Sequence, residues 1–179
     1  MNNHQVTLGL INPKSASNVG AVMRAAGCYH VDSVFYTGER YDRTLRLNTD
    51  TKRISHTVPL TGVDSLLSVV PEQAQLVCVE LAVGATPLPS YQHPESAMYV
   101  FGPEDGTISQ TIIDQAEAVI YIPTRGCMNL AATVNVVLYD RLAKSALSRG
   151  SEAGDDLIRR SRDTNNRVRV RKASCDNRN

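Results

Sequence analysis

An α/β fold, a mostly parallel sheet with helices on both faces, is predicted by three features of this 179-residue chain. Short apolar runs alternate along it with segments whose apolar residues recur at the helical period. The runs are nearly continuous in apolar character, as strands buried on both sides must be. Each is closed by a Gly, Pro or Asn signal that ends a strand and opens a loop.

The elements follow in order. Residues 6–11 (VTLGLI) form an apolar run that stops at Asn12-Pro13, and residues 31–36 (VDSVFY) form another, closed by Thr37-Gly38; both read as strands. Between them Val19, Val22, Met23 and Ala26 fall at i, i+3, i+4 and i+7, with Ser17 placed as N-cap, which gives a helix with one buried face. Residues 39–53 (ERYDRTLRLNTDTKR) show no clear period and read as a mobile surface loop. A helix is expected near residues 62–70, and strands at 76–81 and 97–101. Then come a helix at 109–117, a strand at 118–122, and a long helix over 129–148 with Leu130, Val134, Val137, Leu138 and Leu142 on its apolar stripe. In such a sheet, ligands belong at the carboxyl ends of the strands.

Composition narrows the class. The 42% apolar content suffices for the core of one domain. The N-terminus lacks the basic lead and apolar run of a secretion signal, and no stretch approaches the ~20 apolar residues that span a bilayer. A cytoplasmic protein is therefore expected. Cys28, Cys78, Cys127 and Cys175 are far apart, as are His4, His30, His56 and His93. That spacing supports free, mostly buried thiols and neither a metal site nor a histidine-based triad. Residues 1–149 hold 11 Lys/Arg against 13 Asp/Glu, whereas residues 150–179 hold 8 against 5, so the basic excess lies in the last stretch. Residues 1–149 are read as the folded domain and 150–179 as a basic tail, too polar to pack and disordered beyond about Asn165.

Three strand-end junctions could carry chemistry. The first, NPKSASNVGAVMRAA over residues 12–26, sets a loop of small and polar residues at a helix N-terminus, where amides and dipole favour anions. The second, YVFGPEDGTIS over 99–109, makes a sharp turn with Glu104 at its tip. The third, IYIPTRGCMNLAATVNVV over 120–137, ends a strand at Ile122-Pro123 and opens the last helix at Asn129. Each alone fits an ordinary turn or cap. Three in one chain, each at the carboxyl end of a strand, suggest a common site.

In order and spacing these junctions resemble the three motifs of the SpoU/TrmH branch of the SPOUT RNA methyltransferases. The residues are NxGxxxRxA (Asn18, Gly20, Arg24, Ala26), FGPExxG (Phe101 to Glu104, then Gly106), and IPxxGxMNL (Ile122, Pro123, Gly126, Met128, Asn129, Leu130) followed by Leu138-Tyr139-Asp140. The likeness runs over roughly residues 8–144. It implies a C-terminal trefoil knot, which general topology rules treat as exceptional, and a homodimer joined through the first and last helices. It also implies S-adenosylmethionine held by backbone groups of Glu80, Leu81, Gly102, Ile122, Cys127 and Leu130. The reaction implied is methylation of a ribose 2'-hydroxyl in RNA, with Arg24, Asn18, Glu104 and Asn129 as catalytic residues.

A guanidinium with a pKa above ~12 is a very poor base. Arg24 is therefore expected to grip a phosphate and stabilise the developing alkoxide, with Asn18 and Glu104 orienting the arginine and the ribose. Many members carry a Ser-Leu-Asn-X-Ser run in the third motif where this chain has Cys127-Met128-Asn129-Leu130-Ala131, so both serine hydroxyls are missing. A non-catalytic, knotted RNA-binding protein is the competing reading. Lys14, Arg43, Arg46, Arg53 and Arg125, with Arg40, Lys52 and the tail arginines, are candidate RNA contacts. The resemblance to compact members of the family, which often act on tRNA, implies tRNA rather than rRNA as substrate.

Overall fold

The computed structural model describes residues 4–47, 58–145 and 154–170. By internal contacts the chain divides into two units, Met1–Ser145 and Ala146–Asn179. The first opens with β1 (Val6–Leu10), α1 (Ala16–Cys28), β2 (Ser33–Tyr36), α2 (Arg40–Leu47) and β3 (Leu60–Gly62). After a 3-10 turn at Leu66–Val69 come β4 (Gln75–Val79), β5 (Thr86–Pro87) and a second 3-10 turn at Leu88–Ser90. β6 (Ala97–Phe101), α3 (Gln110–Ile113), β7 (Ala118–Tyr121) and α4 (Leu130–Lys144) complete it. Among the described residues seven strands form one sheet in the order β3-β2-β1-β6-β4-β7-β5, with every pairing parallel.

Alternation along the central strands feeds two cores. Val6, Leu8 and Leu10 of β1 and Ala97, Tyr99 and Phe101 of β6 point to the side covered by α1 and α4. Met98 and Val100 of β6, with Leu76 and Cys78 of β4, point to the other side, against Leu66 and Ile108. All residues of β1 and β6 are buried, as the continuous apolar runs required.

Several expectations need correction. α1 is capped by Ser15, not Ser17. Ser15 has the extended backbone of a cap and accepts from the Asn18 amide at 3.4 Å, while the Ser17 hydroxyl lies 2.7 Å from that of Ser15. Residues 40–47, expected as part of a loop, form α2. Tyr41 packs edge-on against Tyr36 at 5.1 Å, and Arg40 and Thr44 bond to segments distant in sequence. The helix expected at 62–70 is a single 3-10 turn, because Leu60–Gly62 is taken up by the sheet beside β2. The helix expected at 109–117 shortens to Gln110–Ile113 and tightens into three-residue turns at Gln115 and Ala116.

α4, expected over 129–148, ends at Lys144, and residues 146–148 lie outside the described residues. Leu130, Val134, Val137 and Leu138 are buried, whereas Leu142 is 39% exposed. Cys28 and Cys127 are exposed, and of the described thiols only Cys78 is buried; all three are free. The second unit contains α5 (Asp155–Ser161), whose acidic first turn and basic last turn match the helix dipole, an element the polar composition did not suggest. No helix among the described residues is long and apolar enough to cross a membrane.

Candidate active site

The carboxyl ends of β4, β6 and β7 open into one cleft. The six residues expected to hold a cofactor all line it: Glu80 and Leu81 after β4, Gly102 after β6, Ile122 and Cys127 after β7, and Leu130 at the start of α4. Its lining mixes the apolar residues Phe101, Ile122 and Leu130 with residues of three strand-end loops. Gly102 matters here for space. A Cβ at this position would lie 3.2 Å from Glu80 Oε2 and 3.3 Å from Ile108 Cγ1, so only a bare backbone leaves the wall undisturbed.

Glu80 proves to be a brace. Its Oε1 accepts from the Leu81 amide at 2.9 Å, and its Oε2 accepts from the Ile108 amide and the Thr107 hydroxyl, each at 3.0 Å. The carboxylate therefore ties the end of β4 to the loop beyond β6. The Glu80 amide itself donates to the Ile120 carbonyl of β7 at 2.9 Å, so the end of β4 is fixed on both sides of the cleft lining.

Beside the cleft the three junctions join through side chains. Asn129 caps α4, its Oδ1 accepting from the Ala131 amide at 2.9 Å and the Ala132 amide at 3.4 Å. That fixes its Nδ2 as the donor to Asn18 Oδ1 at 3.0 Å, which in turn points Asn18 Nδ2 at Glu104 Oε1, 3.1 Å away. Glu104 Oε2 accepts from the Lys14 amide at 2.9 Å and Oε1 from the Ser15 amide at 3.3 Å. Partial burial pushes the Glu104 carboxyl upward, but the Lys14 amide, the Asn18 side chain and further backbone amides outweigh it, so its pKa falls below the usual value. Glu104 is a fixed anion at neutral pH.

Arg24 is not part of this chain of bonds. It lies exposed on α1, six residues beyond Asn18, does not line the cleft, and makes no hydrogen bond or ion pair with the other described residues. The expectation that Asn18 and Glu104 orient Arg24 is therefore not met: six residues are about 9 Å of helix, beyond the reach of the short Asn18 amide.

The candidate RNA contacts are dispersed. Lys14 is 65% exposed, with Nζ 3.7 Å from Asp105, and Arg43 of α2 pairs with Glu39, the residue just before that helix. Arg46 belongs to α2, and Arg125 is exposed between the cleft-lining Thr124 and Gly126. Lys52 and Arg53 lie outside the described residues, as does Arg171; Arg167 and Arg169 are exposed in the second unit. Sequence reasoning missed Tyr121, Thr124 and Thr133 as cleft walls. It also missed Asp105, whose neighbour Glu104 drew the attention although both stand in the same turn. Among the described residues no group of His, Cys, Asp and Glu could hold a metal ion.

Comparison with known proteins agrees with the motif order. Residues 5–139 match the SpoU rRNA Methylase family. No curated protein matches the sequence. Among solved structures, the A. aeolicus TrmH/SpoU tRNA modifying enzyme superposes with a TM-score of 0.63 at 18% identity, covering 79% of this chain and 76% of that one. A protein studied for the 2-OH methylation of C/U34 on tRNA gives 0.66 at 22%, covering 80% and 92%. AviRb from Streptomyces viridochromogenes, a SpoU methyltransferase solved with AdoMet, gives 0.66 at 16%, covering 80% and 59%. At these identities the structural likenesses establish the fold.

Proposed function

The chain belongs to the SpoU rRNA Methylase family, matched over residues 5–139, and on that premise we propose that it is an S-adenosylmethionine-dependent RNA 2'-O-ribose methyltransferase acting on tRNA rather than rRNA. One observation carries the reading: the cleft lined by Glu80, Leu81, Gly102, Ile122, Cys127 and Leu130 adjoins the bonded chain Asn129–Asn18–Glu104. A cleft lined by both apolar and polar residues, with the side-chain-free Gly102 in its wall, suits a ligand that joins an apolar-faced base and ribose to a charged amino acid. Bound there, the cofactor supplies an electrophilic methyl group. The preference for tRNA rests on the two neighbours whose names concern tRNA.

In this reading the chain's own residues position and stabilise. Glu104, a fixed anion exposed beside the cleft, suits a role as acceptor for a ribose hydroxyl. Asn129 and Asn18 hold that carboxylate in place. Arg24, without a partner among the described residues, is available to grip a phosphate and to offset charge developing on the attacking oxygen. The fold is completed by a C-terminal knot and the active form by a homodimer through α1 and α4, whose Val136, Tyr139 and Leu142 stand 36%, 61% and 39% exposed. Residues 1–149 form the catalytic domain and 150–179 an RNA-contacting tail, and the protein works in the cytoplasm.

Calorimetry with S-adenosylmethionine tests the pocket, and alkylation tests its place. Cys127 is exposed on the cleft wall, so cofactor should protect it from iodoacetamide while Cys28, also exposed but absent from the cleft wall, still reacts. Mass spectrometry of tRNA and rRNA from a deletion strain should then show one missing 2'-O-methyl mark in tRNA. Absence of both cofactor binding and any missing mark would favour a knotted RNA-binding protein without turnover. Removing residues 163–179 should weaken RNA binding and flatten its salt dependence; an unchanged slope would count against the tail.

A further inference from the structure

The bonds around Glu104 have a neighbour that the site description does not use. Arg40, at the start of α2, grips Asp105 with both arms: Nη1 to Oδ1 at 2.8 Å and Nη2 to Oδ2 at 2.9 Å. This is the parallel fork geometry that fixes orientation as well as distance. Two further contacts gather around it. Lys14 Nζ lies 3.7 Å from the same carboxylate, and the Thr44 hydroxyl shares its one proton between the Arg40 carbonyl at 2.9 Å and the Lys14 carbonyl at 3.2 Å. α2 itself is seated on the sheet by Tyr41 against Tyr36 and by the Tyr36 hydroxyl donating to Asp42 at 2.7 Å.

The turn at residues 102–106 is thus held at adjacent positions by different parts of the chain. Glu104 is held by the loop before α1 and by Asn18 in its first turn, and Asp105 by α2. An exposed ion pair contributes little to stability, with bidentate arginine pairs the usual exception. Arg40 is 28% and Asp105 52% exposed, so the value of the pair lies in where it places the turn.

We propose that Arg40 is a positioning residue: through Asp105 it fixes the turn that presents Glu104, so that the seating of α2 sets the geometry of the reaction centre. This rests on the reading of the cleft as a methyl-transfer site. It also removes Arg40 from the set of free phosphate contacts, since its fork is already filled.

Four variants decide it: Arg40→Ala, Asp105→Ala, the double, and Arg40→Lys, each compared with the wild type. Amide exchange over residues 104–106 is read by mass spectrometry, alongside cofactor affinity and steady-state methyl transfer. Each alanine variant should speed exchange in the turn and lower kcat about tenfold, with the double variant no worse than either single, because one coupled unit is lost only once. Arg40→Lys, which keeps the charge and loses the fork, should fall between. Unchanged exchange in the turn, additive losses, or a loss confined to the KM for RNA would each overturn the proposal, the last by making Arg40 an RNA contact. Should the wild type transfer no methyl group to RNA, the reading of function fails, and exchange over 104–106 still decides whether Arg40 holds the turn.

Discussion

At the scale of the residue, the site is a question of which atoms must donate. Glu104 Oε1 and Oε2 face an Asn18 amide group and two backbone amides, all donors. Replacing Glu104 with Gln presents an N–H to one of those donors and removes the charge. Because Glu104 is exposed, the expected cost falls on turnover: kcat lower by about 10²-fold with a stability change under about 1 kcal/mol, measured by single-turnover assay and urea denaturation. The sign of its pH response follows from the same bonds. A carboxyl whose folded pKa is depressed contributes stability that is present above its unfolded value and is lost as pH falls through the folded one. Glu104 therefore cannot set an acid limb of activity above about pH 5, given an ordinary carboxylate value near 4.3. Arg24→Lys separates charge from fork at the other end of α1. A drop of about tenfold in kcat/KM would fit a bidentate phosphate grip, and near wild-type turnover would sink it.

At the scale of the element, α4 shows how one residue serves two purposes that a single substitution can part. Asn129 Oδ1 caps the helix while its Nδ2 reaches Asn18. Asn129→Asp keeps an accepting cap and places a negative charge at the positive helix end, so stability should hold within about 0.5 kcal/mol. It loses the donor to Asn18 and should cost turnover; Asn129→Ala should lose both, with about 1 kcal/mol from the cap. Thermal melts beside methyl-transfer rates separate the cases, and equal activity in Asn129→Asp and wild type would deny Asn129 its part in the chain. The same contrast explains what was legible beforehand. β1, β6 and the buried stripe of α4 announce themselves because burial on a fixed period leaves a local pattern. The six cleft residues came from motif order, which local burial does not encode. α2 stayed hidden because what holds Arg40 stands 65 residues away at Asp105, and a loop-like polar run carries no sign of a distant partner. β5 is too short, two residues at the sheet edge with Pro87 among them, to leave any pattern at all.

At the scale of the whole molecule, the middle of the chain is fastened to the last helix by a buried polar group that spacing could not reveal, since His93 and Asp140 stand 47 residues apart. His93 Nε2 lies 2.8 Å from Asp140 Oδ2 and Nδ1 lies 2.7 Å from the Tyr99 hydroxyl. Arg141 donates to that hydroxyl at 3.1 Å and to the Pro94 carbonyl, and Lys144 meets Asp140 at 2.7 Å while donating to the Leu88 and Tyr91 carbonyls. An arginine only donates, so Tyr99 accepts from Arg141 and gives its own proton to His93 Nδ1, leaving Nε2–H to face the carboxylate. Every position is then filled with a neutral imidazole. Burial, at 4% side-chain exposure, depresses the His93 pKa below 6.5 and outweighs the pull of Asp140, with Arg141 and Lys144 adding repulsion. Burial likewise lifts the Tyr99 hydroxyl to about 12, so it stays a donor throughout. The unfolded chain then binds a proton near pH 6.5 that the folded one refuses. Stability from this site is complete above that pH and declines below it, by at most about 1.4 kcal/mol per pH unit, until the folded value is reached. The shifted carboxyls Glu104 and Asp105 titrate below their ordinary values and do not overlap this window. Urea denaturation at pH 7.5, 6.5 and 5.5 should therefore show falling stability in the wild type. His93→Gln should be less stable at pH 7.5 by about 1–3 kcal/mol for the broken network, with a shallower fall over that range. A wild-type stability that rises on acidification would mean that His93 is held as the cation, and the neutral network would have to be abandoned.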